Sequence, residues 1–324
     1  MAHAAWRLVG RIFEGHERAS HMGATAGARR AEAGAAIPAF VNASSGSAKA
    51  AIEALERHPG FDVRVINPEQ CMIALRRAVT DGAPRLLVAG GDGTIATAAS
   101  VLAGSRTALA VFPGGTLNHF ARSHGIPTDS EQALDVALNG RVKPVDVGYV
   151  NDQLFLNTSS VGAYVRFVET RDRVQPYLGY WLASVVAGVR ILRSLRNIVV
   201  KLEVGGEMRV YRAPLVFVAV GERNLKPPGI GSPADEPGGA LHVVVPRGRR
   251  QARRFVRAYA RAGRGVTIEE KPLGLDSGLV QQFRLDLPMR SVKFATDGEI
   301  RRQRSPLEYR LAPGALNLVV PSSS

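Results

Sequence analysis

The stretch Leu86–Leu102, LLVAGGDGTIATAASVL, joins an apolar strand to a helix through Gly90-Gly91-Asp92-Gly93-Thr94. Glycines at a strand-to-helix corner let the chain turn tightly and bring bare N–H groups against an anion. The new helix N-terminus adds a favourable dipole. Such a corner is read as a phosphate cradle, and a Gly-rich turn with no ligand is the lesser alternative for these residues taken alone. No G-x-x-x-x-G-K-[ST] occurs, which excludes a Walker-type P-loop. Gly91, Gly93 and Ala96 fit the loose G-x-G-x-x-A dinucleotide pattern, but that pattern expects a carboxylate at the end of the next strand. The next strand ends instead in Phe112-Pro113-Gly114-Gly115-Thr116.

Around this corner, apolar runs and helical periodicities alternate. Ile37–Val41, Phe61–Ile66, Arg85–Ala89 and Ala108–Phe112 read as strands. Ser47–Arg57, Glu69–Val79 and Ile95–Leu102 read as the helices between them. This β-α-β-α rhythm predicts an α/β domain with a parallel sheet over residues 37–141. From residue 142 to 324 the runs KPVDVGYV, QLFLNTSSV, IVVKLEV, APLVFVAVG, ALHVVVP, QQFRLDLP, SVKFATDG and ALNLVVP are short, β-branched and separated by turns. They predict an antiparallel β-sandwich with helical insertions near 163–196 and 249–262, its last strand free to pack back on the first domain. Residues 1–36, rich in Ala, Gly, Arg and His, read as a disordered leader.

The 324 residues are 45% hydrophobic and 22% charged, an ordinary globular composition long enough for two cores. The single cysteine, Cys71, excludes an intramolecular disulfide and a Cys-based zinc cage, and fits a reducing cytoplasm. The seven histidines form no HExxH and no pair at ligand spacing with a nearby acid. A net charge of +14 draws the protein toward polyanions, whether nucleotide phosphates, nucleic acid or an acidic membrane face. The longest uncharged apolar stretch, Tyr177–Val189, is too short to span a bilayer and reads as a helix that packs, or lies, against something.

Three polar, small-residue loops fall at strand ends: FVNASSG, GGDGT and FPGGTLNHFAR. Strand ends on one edge of an open α/β sheet are where ligands bind. Together with VDVGYVN and a late DGE, these loops resemble the diacylglycerol kinase catalytic family. That family includes bacterial lipid kinases, is related to sphingosine and ceramide kinases, and shares its fold with NAD kinases. The resemblance runs in order from about Ala39 to Pro321. It implies a nucleotide-binding domain, a β-sandwich domain and a cleft between them.

The resemblance implies an ATP- and Mg²⁺-dependent transfer of phosphate to a lipid hydroxyl, diacylglycerol by default. A sphingoid lipid or NAD is an alternative acceptor, and a nucleotide-binding regulator without catalysis is a reading from another class. Carried over by motif, Asn42, Ser44, Ser45 and Gly46 form the first ATP loop; Gly91, Asp92, Gly93 and Thr94 cradle the phosphates; Thr116 completes the site. Asp92 is the first metal carboxylate. Glu299 is the first choice of general base, with Asp297 beside it. Two positions depart from the family pattern: His119 stands where an acid is common, and Gly238 where a structural magnesium ligand sits. Asp235 and Glu236 are the acids near enough to substitute there, Asp235 as the candidate metal ligand.

Residues 247–264 hold eight arginines and no acid. Arg250, Arg254 and Arg257 follow helical spacing, as expected of a basic helix lying on an anionic membrane. No nucleic-acid module accompanies it. The expected protein is cytoplasmic, peripherally membrane-associated and compatible with a homodimer.

Overall fold

The computed structural model describes residues 36–224, 239–254 and 275–322. The expected leader up to residue 35, together with Asp235, Glu236, Gly238 and Arg257, lies outside these residues.

The first domain is built as the alternation predicts. Strands β1 (Ile37–Asn42), β2 (Phe61–Ile66), β3 (Arg85–Gly90) and β4 (Ala108–Pro113) pair in parallel in the order β2-β1-β3-β4. Their connections are α1 (Ala48–Glu56), α2 (Pro68–Thr80) and α3 (Asp92–Leu102). Two short helices, α4 (His119–Ser123) and α5 (Ser130–Asn139), follow β4. Alternation along each strand divides the core between the two faces. Phe40, Leu86 and Val88 pack on α2 and α3 through Leu75, Ile95 and Leu102. Ala39, Val41, Leu87 and Ala89 pack on α1 and α5 through Leu55, Leu134 and Ala137.

The parallel sheet does not end at β4. The 14-residue strand β16 (Leu307–Val320) continues it, parallel to β4 at Leu318 and Leu109. β16 also pairs antiparallel with β5 (Arg141–Val150) on both sides of an irregularity between Ala312 and Leu316. A short strand β6 (Gln153–Phe155) extends from β5. The N-terminal half of β16 lies in the second domain, where β13 (Gln282–Asp286), β8 (Ile198–Val204) and β9 (Glu207–Ala213) carry the sheet to its far edge. One ten-stranded sheet therefore serves both domains.

A second, antiparallel sheet covers that extension. Its order is β12 (Leu275–Val280), β11 (Leu241–Pro246), β10 (Leu215–Val220), β7 (Thr158–Gly162), β14 (Ser291–Thr296) and β15 (Glu299–Arg304). The sandwich core between the sheets includes Phe155, Val161, Val218, Val243, Phe283 and Phe294. Tyr309 sits at its centre, stacked on Phe283 at 4.6 Å and hydrogen-bonded by its hydroxyl to Ser159 at 3.1 Å. Burial pushes its phenol above the usual tyrosine range.

A long helix, α6 (Ala163–Arg193), lies across this second sheet and bends at Gly179, whose φ of 70° is outside the helical range. Pro176 precedes the bend and removes a helix donor. Arg249–Arg254 start the second helical insertion within the described residues. Arg253 Nε donates to the carbonyl of Leu192 at 2.9 Å, tying that insertion to the end of α6.

Candidate active site

The three loops meet at the carboxyl edge of the parallel strands. After β1, Asn42 Oδ1 accepts from the Ser44 N–H at 3.0 Å, and its Nδ2 donates to Thr94 Oγ1 at 2.9 Å. One amide thus shapes its own turn and fixes the start of α3. Ser47 Oγ donates to the Gly114 carbonyl at 2.8 Å, and Ser45 Oγ lies 3.0 Å from Ser47 Oγ. The second and third loops touch backbone to backbone: a Cβ placed on Gly115 would lie 2.8 Å from Gly91 Cα. An open cleft of about 460 Å³ results, lined by Asn42, Ser45, Gly46, Ser47, Gly91, Thr94, Gly114, Gly115 and Thr116. No side chain caps the N-terminus of α3. Its first-turn N–H groups have no intrahelical partner, so that end of the helix suits an anion.

Asp92 is the brace between loops. Its two carboxylate oxygens accept the N–H groups of His119 and Phe120, each at 3.2 Å, so an acid in the second loop caps the helix that follows the third. Asn118 faces the other way, in the left-handed region at φ 48°, and exchanges two hydrogen bonds of 2.8 Å with Gly115.

The DGE turn reaches this site from the second domain. Asp297 and Gly298, with φ of 48° and 89°, form the two-residue corner of the β14–β15 hairpin, the conformation an Asp-Gly pair favours. The two acids then separate. Asp297 points inward, and its carboxylate accepts the N–H groups of Leu156, Asn157 and Thr158 at 2.7, 2.8 and 3.0 Å. Burial pushes its carboxyl up, the three N–H donors oppose that, and the nearby charge of Asp92 adds to the rise. Glu299 points outward, half-exposed, with Oε2 accepting from Arg301 Nη2 at 2.7 Å. Its Oε1 lies only 2.9 Å from where a Cβ on Gly93 would be. Gly93 is the second residue of α3 with ordinary helical backbone. Its missing side chain is the space that Glu299 occupies.

The family profile described as "Diacylglycerol kinase catalytic domain" matches residues 37–150, which hold all three loops. Residues 37–150 form a diacylglycerol kinase catalytic domain. Among similar proteins, the "Probable lipid kinase YegS-like" of Cronobacter sakazakii is 35% identical over 150 residues, 44% of this chain and 49% of that protein. The diacylglycerol kinase of Bacillus subtilis is 38% identical over 127 residues, 38% of this chain and 42% of that protein. The matched region spans about half the length of these curated relatives. The likeness in fold extends further. The crystal structure of a diacylglycerol kinase from Bacillus anthracis superposes with a TM-score of 0.63 at 19% identity, covering 88% of this chain and 96% of that one. A second structure from that organism gives 0.70 at 21% identity over 89% and 98% of the two chains.

Of the residues expected to bind ATP in the kinase domain, Asn42, Ser45, Gly46, Gly91, Thr94 and Thr116 line the cleft. Ser44, Asp92 and Gly93 stand beside it, Ser44 through its backbone turn, Asp92 as the loop brace, and Gly93 under Glu299. Ser47 lines it too and escaped the sequence reading. Gly114 and Gly115 also line it; the sequence reading places them in the third loop without singling them out as site residues. The signal for the glycines is the Gly114-Gly115 pair itself, which the close approach of Gly91 requires. Asp297 was read as sharing catalysis with Glu299. In the structure its carboxylate is held by three backbone donors, while Glu299 is the acid that faces Gly93. Among the described residues no group of three His, Cys, Asp or Glu forms a metal cage. Arg250 and Arg254 are exposed, on the helical turn that Arg253 ties to Leu192.

Gly115→Ala in the kinase domain forces two backbones apart. It should lower stability by about 1–3 kcal/mol and ATP affinity by at least about tenfold, roughly 1.4 kcal/mol. Gly188→Ala, in α6 of the second domain, whose Cβ would meet nothing within 4 Å, is the control. Urea unfolding and calorimetric ATP titration read both effects. Equal ATP affinities for the two variants would sink the assignment of the cleft.

Proposed function

We propose that the protein is an ATP-dependent lipid kinase, with diacylglycerol as acceptor and phosphatidate as product. The observation that carries this reading is the Glu299 carboxylate held against Gly93, at the N-terminus of an uncapped helix and beside a glycine-lined cleft. Phosphoryl transfer needs little covalent work from a protein; it needs positioned phosphates, neutralised charge and a base near the attacking hydroxyl.

The phosphates lie against the loop N–H groups and the start of α3. Glu299 takes the proton of the lipid hydroxyl as its oxygen bonds to the γ-phosphorus, and the bond to the β–γ bridging oxygen breaks to release ADP. Arg301 holds one Glu299 oxygen and leaves the other facing the cradle. The donor set fits Mg²⁺, which takes one or two carboxylates and keeps several waters. Asp92 would hold it, since a carboxylate accepting one N–H per oxygen keeps lone pairs free. When bound, the ion neutralises charge on the transferring phosphate.

No helix among the described residues is long and apolar enough to cross a membrane. The exposed Arg250 and Arg254 support a peripheral approach to an anionic bilayer, with the catalytic domain in the cytoplasm.

The test offers γ-³²P-ATP with dispersed diacylglycerol, sphingosine or NAD and separates the products by thin-layer chromatography. Label in phosphatidate is expected. Label in the dinucleotide would make this an NAD kinase, and no label with any acceptor would leave a nucleotide-binding regulator.

A further inference from the structure

The second half of α6 has two unlike faces. Ala183, Ala187 and Ile191 are buried, with Ile191 packing on Leu195, Leu215 and Ala252. On the opposite side Tyr177, Trp181, Leu182, Val185 and Val189 are exposed, Tyr177 by 85%, Trp181 by 63% and Leu182 by 56%. No charged residue interrupts this side between Tyr177 and Val189. A contiguous apolar stripe of this kind marks an interaction surface rather than scattered exposed side chains.

We propose that the Tyr177–Val189 face of α6 is the surface on which the protein docks to an anionic bilayer. This rests on the lipid kinase reading for its purpose but not for its geometry. Charge decides the occupant. The stripe is flanked by exposed Arg173 at one end and by exposed Arg190, Arg193 and Arg196 at the other. The Arg253 bond to Leu192 brings the arginines of the second insertion to that same end. Apolar rings and aliphatic chains bordered by arginine match the boundary between acyl chains and acidic headgroups, where Trp and Tyr also concentrate. A second copy of the chain fits less well, because a two-fold interface there would set like arginine clusters against each other.

The placement connects this face to the catalytic turn. Arg171, about two turns before the bend, donates to the Gly298 carbonyl at 3.5 Å and lies under the Tyr180 ring, 5.4 Å from its centroid. Tyr180 is the first residue after Gly179 and adjoins Trp181. Arg171 and Tyr180 link the docking stripe to the Asp297-Gly298-Glu299 corner. A lipid hydroxyl held at the membrane surface by this face is presented to Glu299.

The experiment uses the full chain and two readouts. The protein has two tryptophans, Trp6 and Trp181, so Trp6→Phe leaves Trp181 as the reporter. Its emission should shift to the blue on adding vesicles of phosphatidylcholine and phosphatidylglycerol in equal parts, and much less with phosphatidylcholine alone. Trp181→Glu combined with Leu182→Glu should lower cosedimentation with the anionic vesicles at least tenfold, at an unchanged melting temperature. Unshifted emission, or cosedimentation indifferent to the double substitution, overturns the proposal. So does emission already blue-shifted without vesicles, which would mean the stripe is covered by this chain or, if the mass is doubled, by a second copy. The readout is binding, so docking through Trp181 by a protein that phosphorylates no lipid would retain this surface and remove the kinase reading.

Discussion

Glu299→Gln should lower kcat for lipid phosphorylation by about 10²–10⁴-fold, the usual worth of a positioned base. The substitution keeps the length of the side chain and can still accept from Arg301, but it cannot take a proton. ATP affinity should barely change, because the cleft-lining residues belong to the first domain. Gly93→Ala approaches the same point from the other side. Its Cβ would meet Glu299 Oε1 at 2.9 Å, and the flexible carboxylate rather than the helix must give way. Stability should hold while kcat falls, by less than in Glu299→Gln. Single-turnover phosphorylation with saturating Mg-ATP reads both variants. A Glu299→Gln protein turning over at the wild-type rate would remove Glu299 from the chemistry.

Asp297→Ala should act on the fold instead. It leaves the N–H groups of Leu156, Asn157 and Thr158 without their acceptor. Each buried donor left unmet costs about 1–3 kcal/mol. The sum, about 3–6 kcal/mol after allowing for relaxation, is a large part of a typical domain stability. Asp297→Asn separates the contributions. Asn tolerates the left-handed backbone and keeps one oxygen, so it should lose less than Ala. Urea unfolding midpoints should rank wild type, Asn, then Ala, and activity should fall in parallel as the hairpin that carries Glu299 loosens. An Asp297→Ala protein with an unchanged midpoint and no activity would return Asp297 to the chemistry.

The first domain was legible because each of its signals is local. A strand that ends in glycine and a helix with apolar residues at i and i+4 announce themselves, and residues 61–66 were read to the residue. The α5 helix was missed despite Asp129, which accepts the Gln132 N–H as a helix cap should. Strands β9 and β15 carry EMRVYRA and EIRRQR and lack apolar alternation because both are edge strands, where charge blocks further pairing. Within the site, loop residues were legible from composition, but the division of labour in DGE was not. Sequence puts Asp297 and Glu299 two positions apart. Only the left-handed turn sends one into the backbone of residues 156–158 and the other toward Gly93.

The shared strand β16 also decides when the catalytic domain can finish folding. Leu316, Leu318 and Val320 fill the core on one face of the parallel sheet, and Val319 fills the other. They come from residues more than 160 positions beyond the last of the three loops. During synthesis the nucleotide-binding half therefore waits, with both faces of its sheet incomplete, until almost all of the second domain has been made. Contacts of such long sequence separation close slowly. The two domains are separate in architecture and a single unit in assembly.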